Sequence, residues 1–200
     1  MQAKAIGWDS TFAFCISQDA IERTGEKDGI IKAFRTWQEA REAGVFTRQM
    51  KEKLQNPDCK FHIERKSEKA FIVYTVKENR ISDKAGAEVK PIAVTNPYDK
   101  QPLQFSLQVA GVVDACVVTL PDGSNITCAQ KMAPNQFIIC KGDNAYLADN
   151  NRKQIADLPM AKPAVFAKGE ATLGVQFPKN ANVGFNLTVW GLDKGEPLGQ

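Results

Sequence analysis

The sequence predicts an α+β fold: a short N-terminal helical segment followed by a mainly antiparallel, jelly-roll-like β-sandwich. Three observations predict it. Apolar residues recur at helical spacing only near the start of the chain. After Pro57 the period falls to two, in short runs separated by Gly, Pro, Asn and Asp. The 200 residues are also enough to bury a substantial core. The expected division is therefore a helical segment over 1–57 and a hairpin with a sandwich over 58–200.

The helices come first. Around Ile16 to Arg23 a short helix is expected, limited by Thr24-Gly25 and Asp28-Gly29. In "DGIIKAFRTWQEAREAG", Ile30, Phe34 and Trp37 stand at i, i+4 and i+7, with Lys32, Arg35, Glu39 and Arg41 on other sides. Asp28 is the expected N-cap and Gly44 the C′ residue. A second helix in "FTRQMKEKLQNPD" starts at a Thr47 cap, pairs Met50 with Leu54 on one face and stops at Asn56-Pro57.

The strands follow. "KFHIERK" and "KAFIVYTVK" flank Ser67-Glu68 and read as a hairpin. The stretch "ISDKAGAEVKPIAVTNPYDKQ" is expected to hold one strand, around Val89, Ile92 and Val94, and two loops. Further runs are "LQFSLQVA", "ACVVTL", "NITCAQKM", "QFIICK", "AYLAD", "KQIADL", "EATLGVQF" and "VGFNLTVW". Alternation puts Leu173, Val175, Phe177, Phe185, Leu187 and Val189 in the core and Thr172, Gln176, Asn186 and Trp190 outside. The final Gly-Glu-Pro-Leu-Gly-Gln is expected to fray.

Composition bounds the function. A formal net charge of +3 with near-balanced acids and bases creates no field that would call for nucleic acid or an anionic membrane. No apolar run reaches the roughly 18 to 20 residues that span a bilayer, and no basic region precedes an apolar core as in a secretory signal, so a soluble chain is expected. Its compartment is left open.

Residue chemistry is sparse. Cys116, Cys128 and Cys140 are spaced by 12 residues, whereas structural zinc knuckles place two ligands about two to four apart. Cys116 shares parity with Val118 and Leu120 and Cys128 with Ile126; the three thiols are expected as small core residues, and neither metal nor cofactor is expected. His62 is the single histidine and shares the wet face with Glu64 and Lys66, opposite Phe61 and Ile63, so a nucleophile–histidine pair is not expected. "TGEKDGIIKAF" lacks the Gly-Lys-Ser/Thr of a phosphate loop. One rival reading is a winged-helix DNA binder, with Arg48, Lys51 and Lys53 on phosphates and the hairpin as wing; Glu39, Glu42 and Glu52 dilute that basic face.

Three stretches, "GWDSTFAF", "RTWQEAREAGVFTRQMKEKLQNPDCKFHIERK" and "NQFIICKGDNAYLADNNRKQIADLPM", resemble the C-terminal region of certain large bacterial glycoside hydrolases. There a (β/α)8 barrel ends and a β-sandwich module follows. The resemblance implies that "KAIGWDSTFAF" is a last barrel strand with its exit loop, which would bring Trp8 and Asp9 near a sugar. It also implies an accessory or structural role beside an upstream barrel. Hydrolysis needs two carboxyl groups across the glycosidic bond, and those come from earlier barrel strands, so the isolated chain is expected to be inert. A freestanding glycan-binding module is the close variant, with Tyr146 and Trp190 as its sugar-contacting aromatics.

Overall fold

A computed structural model describes residues 2–11, 13, 15–180 and 182–199; Phe12 and Phe14 of the "GWDSTFAF" stretch lie outside the described residues. In chain order its helices are α1 (Gln2–Gly7), α2 (Gln18–Arg23), α3 (Lys27–Glu42) and α4 (Arg48–Gln55). The strands are β1 (Lys60–Arg65), β2 (Phe71–Ala85), β3 (Lys90–Asn96), β4 (Gln101–Pro102), β5 (Gln104–Val109), β6 (Cys116–Thr119) and β7 (Asn125–Cys128). They continue as β8 (Phe137–Lys141), β9 (Ala145–Ala148), β10 (Gln154–Asp157), β11 (Val165–Phe166), β12 (Gly169–Gln176), β13 (Val183–Leu192) and β14 (Glu196–Leu198). The fold is α+β with a β-sandwich.

The chain forms two compact units: residues 1–77 with 192–200, and residues 78–191. The boundary expected at 57/58 falls inside the first unit, in the connection between α4 and β1. That connection joins the helices to the sheet they cover, because Ile63, Phe71 and Val73 share one apolar cluster with Trp37, Ala40, Met50 and Leu54.

In the first unit, α3 starts earlier than its expected cap. Glu26 occupies the N-cap without capping the helix through its side chain, and Asp28 sits in the first turn, where a carboxylate favours the positive end of the helix dipole. The C-terminus closes as expected: Gly44 takes φ +65°, its N–H bonds the Arg41 carbonyl at 3.0 Å, and Val45 N–H bonds Ala40 O at 3.4 Å. This is a Schellman arrangement. Thr47 caps α4 by accepting from the Met50 N–H at 3.2 Å. Trp37 stacks on Phe46 with ring centroids 6.0 Å apart, and each such fully buried side chain contributes about 1.5–3 kcal/mol.

Two expectations fail in this unit. Residues 4–7 are helix, not a barrel strand: Ala3 and Ile6 bury one face of α1, and a Cβ on Gly7 would stand 2.9 Å from Gln55 N and Lys51 O of α4. Only glycine permits that approach, and an extended strand would lose the i, i+3 face that packs there. Residues 196–198 do not fray either. β14 pairs with β2 through Glu196↔Val73 and Leu198↔Phe71, and Leu198 is buried, so one apolar side chain and a free sheet edge hold the end of the chain.

The second unit is the sandwich. One sheet runs β2(78–85)-β13-β5-β8-β9-β10 and the other β3-β12-β6-β7, with the small pair β4–β11 beside them. The pairs with recorded register are antiparallel. Between the sheets lie Phe105, Leu107, Val118, Ile126, Leu173, Val175, Leu187 and Val189, with Phe177 and Phe185 edge to face at 6.3 Å. Cys116, Cys128 and Cys140 are buried in this core, as expected for small core thiols. β2 runs to Ala85, longer than expected, because its Ser82 bonds Asn186 of β13 at 2.7 Å and a ladder partner overrides turn-rich local composition. No helix among the described residues is long and apolar enough to cross a membrane.

Candidate ligand-binding cleft

The second unit carries a cleft of about 520 Å³ lined by Lys100, Gln101, Pro102, Lys141, Gly142, Asp143, Pro163, Ala164 and Val165. Local sequence builds it. Lys141-Gly142-Asp143-Asn144 turns β8 into β9, with Lys141 N–H bonded to Asn144 O at 2.8 Å. Gly142 takes φ +74°, and a Cβ there would stand 2.8 Å from Pro102 Cβ, so this turn lies directly on β4. Backbone bonds Gly142 N–H to Leu103 O at 2.9 Å and Ala164 N–H to Gly142 O at 2.8 Å tie the three segments together.

Buried Asn96 organises the neighbouring corner. Its Nδ2 donates to the carbonyls of Asp99, Phe166 and Ala167, and its Oδ1 accepts from Tyr98 N–H at 3.0 Å and Gln101 Nε2 at 3.3 Å. Every hydrogen-bonding capacity of the amide is used, which is the condition for burying it. The segment leading into β4 and the end of β11 are thereby held at fixed spacing.

The cleft has two chemical characters. Pro102, Pro163, Ala164 and the exposed Val165 present an apolar floor. Lys100 and Lys141 supply cationic donors and Asp143 an acceptor. Asp143 is the one carboxylate among the lining residues described, so the cleft has groups to hold a polar anion but not the two carboxyls of glycoside cleavage.

The aromatic and acidic residues singled out in the sequence are dispersed. Trp8 is 65% exposed at the end of α1, and Asp9 takes φ +52° and bonds Lys51 Nζ at 2.5 Å; both belong to the first unit. Tyr146 and Trp190 belong to the second and share the outer face of one sheet, but β5 and β8 separate their strands, a lateral offset of about 14 Å. Tyr146 is 8% exposed beside Phe137 and Ile139, and Lys141 Nζ lies 5.7 Å from its ring centroid. Trp190 is half-buried and donates from Nε1 to Glu78 Oε1 at 3.2 Å. Neither presents a bare platform. Lys141 links these residues to the cleft, for it covers Tyr146 and stands in register with Trp190 through Gln104. No spacing rule nominated it, since its neighbours come from three strands.

A second polar group lies on the hairpin of the first unit. Glu64 accepts from Lys66 Nζ at 2.5 Å and Tyr74 OH at 3.1 Å, and His62 Nε2 is 3.6 Å from its other oxygen. The Lys66 hydrogen bond holds the Glu64 carboxyl below its ordinary range, while burial and then Glu64 push the Tyr74 phenol up. The basic residues of the winged-helix reading are each engaged by an acid of the same unit: Arg48 with Glu52 at 3.0 Å, Lys51 with Asp9 and Lys53 with Glu196. Among the described residues no His, Cys, Asp and Glu cluster could hold a metal ion.

No family model matches the sequence, and no curated protein matches it. Among solved structures, the crystal structure of SPP1 Dit (gp 19.1) protein, described as a paradigm of hub adsorption apparatus in Gram-positive infecting phages, is similar at a TM-score of 0.38 and 7% identity. The likeness covers 68% of this chain and 61% of that one.

Proposed function

We propose that this chain is a non-catalytic β-sandwich region of the carbohydrate-active class, and that its second unit binds an acidic glycan in the Lys100/Lys141 cleft. One observation carries the reading: an apolar floor of Pro102, Pro163 and Val165 is bordered by two ammonium groups and a single carboxylate. A pyranose has an apolar C–H face to lay on such a floor and hydroxyls for Asp143 to accept from. A uronic carboxylate matches Lys100 and Lys141, for which no ion pair is formed among the described residues. The resemblance of the two later stretches to glycoside hydrolase C-terminal regions supports the same class.

Affinity electrophoresis of the full chain through polygalacturonate, alginate and neutral β-glucan tests it. Retardation by a polyuronate, weakened about tenfold by Lys100→Ala with Lys141→Ala, is the expected result. Equal retardation of the double variant, or none on any glycan, removes the cleft as a glycan site. A salt-sensitive affinity for duplex DNA that persists in the double variant would instead favour the winged-helix reading.

A further inference from the structure

We infer that the edge of β1 in the first unit is a docking site for an extended peptide of a partner protein, one that carries an acidic side chain. The inference begins with hydrogen-bond parity. Lys66 N–H bonds Ala70 O at 2.8 Å, and with the β1–β2 register Glu64↔Ile72 and His62↔Tyr74 this sets even-numbered residues of β1 against β2. The N–H and C=O groups of Ile63 and Arg65 therefore point away from β2. Among the described residues nothing bonds them.

A cavity lies along that free edge. Its volume is about 360 Å³, and its lining includes His62, Ile63, Glu64 and Arg65, four successive residues whose side chains alternate between faces. A cavity touching all four faces the backbone edge and not one side of the sheet. Its other wall is a single stripe of α3, Gly29, Lys32, Ala33 and Thr36, at i, i+3, i+4 and i+7. Small Gly29 and Ala33 leave the room, and Thr36 Oγ1 is occupied by its own helix, donating to Lys32 O at 2.8 Å. The result is a slot between a strand edge and a helix, with main-chain groups repeating about every 6.7 Å. An added strand fits that repeat, taking affinity from main-chain bonds and selectivity from alternate side chains.

Charge decides the occupant. Arg65 is engaged by Glu39 at 3.0 Å, and Glu64 by Lys66 and Tyr74. Lys32 has no ion pair among the described residues and stands exposed on the slot's rim, so the unmatched charge is positive and calls for Asp or Glu on the incoming strand. A second copy of the chain is a poorer occupant. Symmetric β1–β1 pairing would bring two α3 helices to one slot.

The test is selection of a random displayed heptapeptide library on the full chain, followed by hydrogen exchange with the strongest peptide. The expected peptides alternate β-branched or small residues with at least one acid, and they slow exchange at the Ile63 and Arg65 amides. Lys32→Glu and Ala33→Trp, which reverse the rim charge and fill the slot, should each weaken binding about tenfold or more. The inference is overturned if no peptide is selected, if selected peptides bind both variants as tightly as the parent, or if protection at Ile63 and Arg65 rises with protein concentration alone, which would identify self-pairing. A loss of glycan binding in the second unit would leave this result untouched.

Discussion

The wholly buried side chain of Asn96 donates from Nδ2 to the carbonyl oxygen of Phe166 at 3.2 Å, joining the end of β3 to the end of β11. The same amide serves four further partners. Asn96→Ala removes them all and leaves carbonyls of Asp99, Phe166 and Ala167 short of a donor. It should cost about 2–3 kcal/mol in chemical unfolding, and Asn96→Asp, which cannot donate, should be no milder. A loss below about 0.5 kcal/mol for Asn96→Ala would show that water replaces the amide.

The hairpin between β6 and β7 should impose a pH dependence. The Ser124 hydroxyl, then the Lys162 ammonium and the Ser124 N–H hold the Asp122 carboxyl well below the usual carboxylate range. A depressed folded-state pKa contributes stability that is fully present above the unfolded value of about 3.9 and is lost as pH falls through the folded value. The stability gap between the parent and Asp122→Asn should be constant above about pH 5 and narrow steadily as pH falls below the unfolded value. A gap that does not change with pH would assign the effect to the turn's hydrogen bonds alone.

Thiol labelling should separate the cysteines by unit. Cys15 is exposed, Cys59 half-buried, and Cys116, Cys128 and Cys140 lie in the sandwich core. Burial pushes the Cys140 thiol up to about 11 and raises Cys116 and Cys128, so little thiolate exists at neutral pH. Mass spectrometry after a brief native reaction should find label on Cys15 first and on the three core thiols only after unfolding. Rapid native labelling of Cys116 would contradict a closed sandwich.

The end of the chain should matter to the first unit. Leu198 is buried with Phe71 and Val73, and Glu196 is paired with Lys53 of α4. Leu198→Ala should destabilise by about 2–5 kcal/mol, read by hydrogen exchange in α4 and β1 more than in the sandwich strands. An unchanged exchange pattern would mean that β14 is an appendage.

Much of the fold was legible because its signals are local. Thr47 with Met50 three residues on, and Phe185, Leu187 and Val189 on one strand face, are patterns a window of a few residues contains. The misreadings were also local in origin. The stretch from Gln2 to Gly7 has no internal feature that rejects a strand; packing on Lys51 and Gln55 makes it a helix. The tail looked unstructured because its partner, β2, lies far earlier in the sequence.

The candidate sites were less legible than the core. Trp8 and Asp9 follow from the resemblance and Tyr146 and Trp190 from residue type, and neither tells where a chain brings them. Lys100, Lys141 and Asp143 meet through the Gly142–Pro102 contact, and the free edge of β1 follows from a register that one hydrogen bond sets.

The amino-acid sequence by itself determined α3, α4 and most strands of the sandwich together with the faces they turn inward, since burial parity is a short-range consequence of period two or 3.6. Tertiary structure alone decided which strands are neighbours, which edges stay open and which charges find partners. Those outcomes depend on contacts between residues distant in the chain, and a single residue of register exchanges every bonded group with an open one.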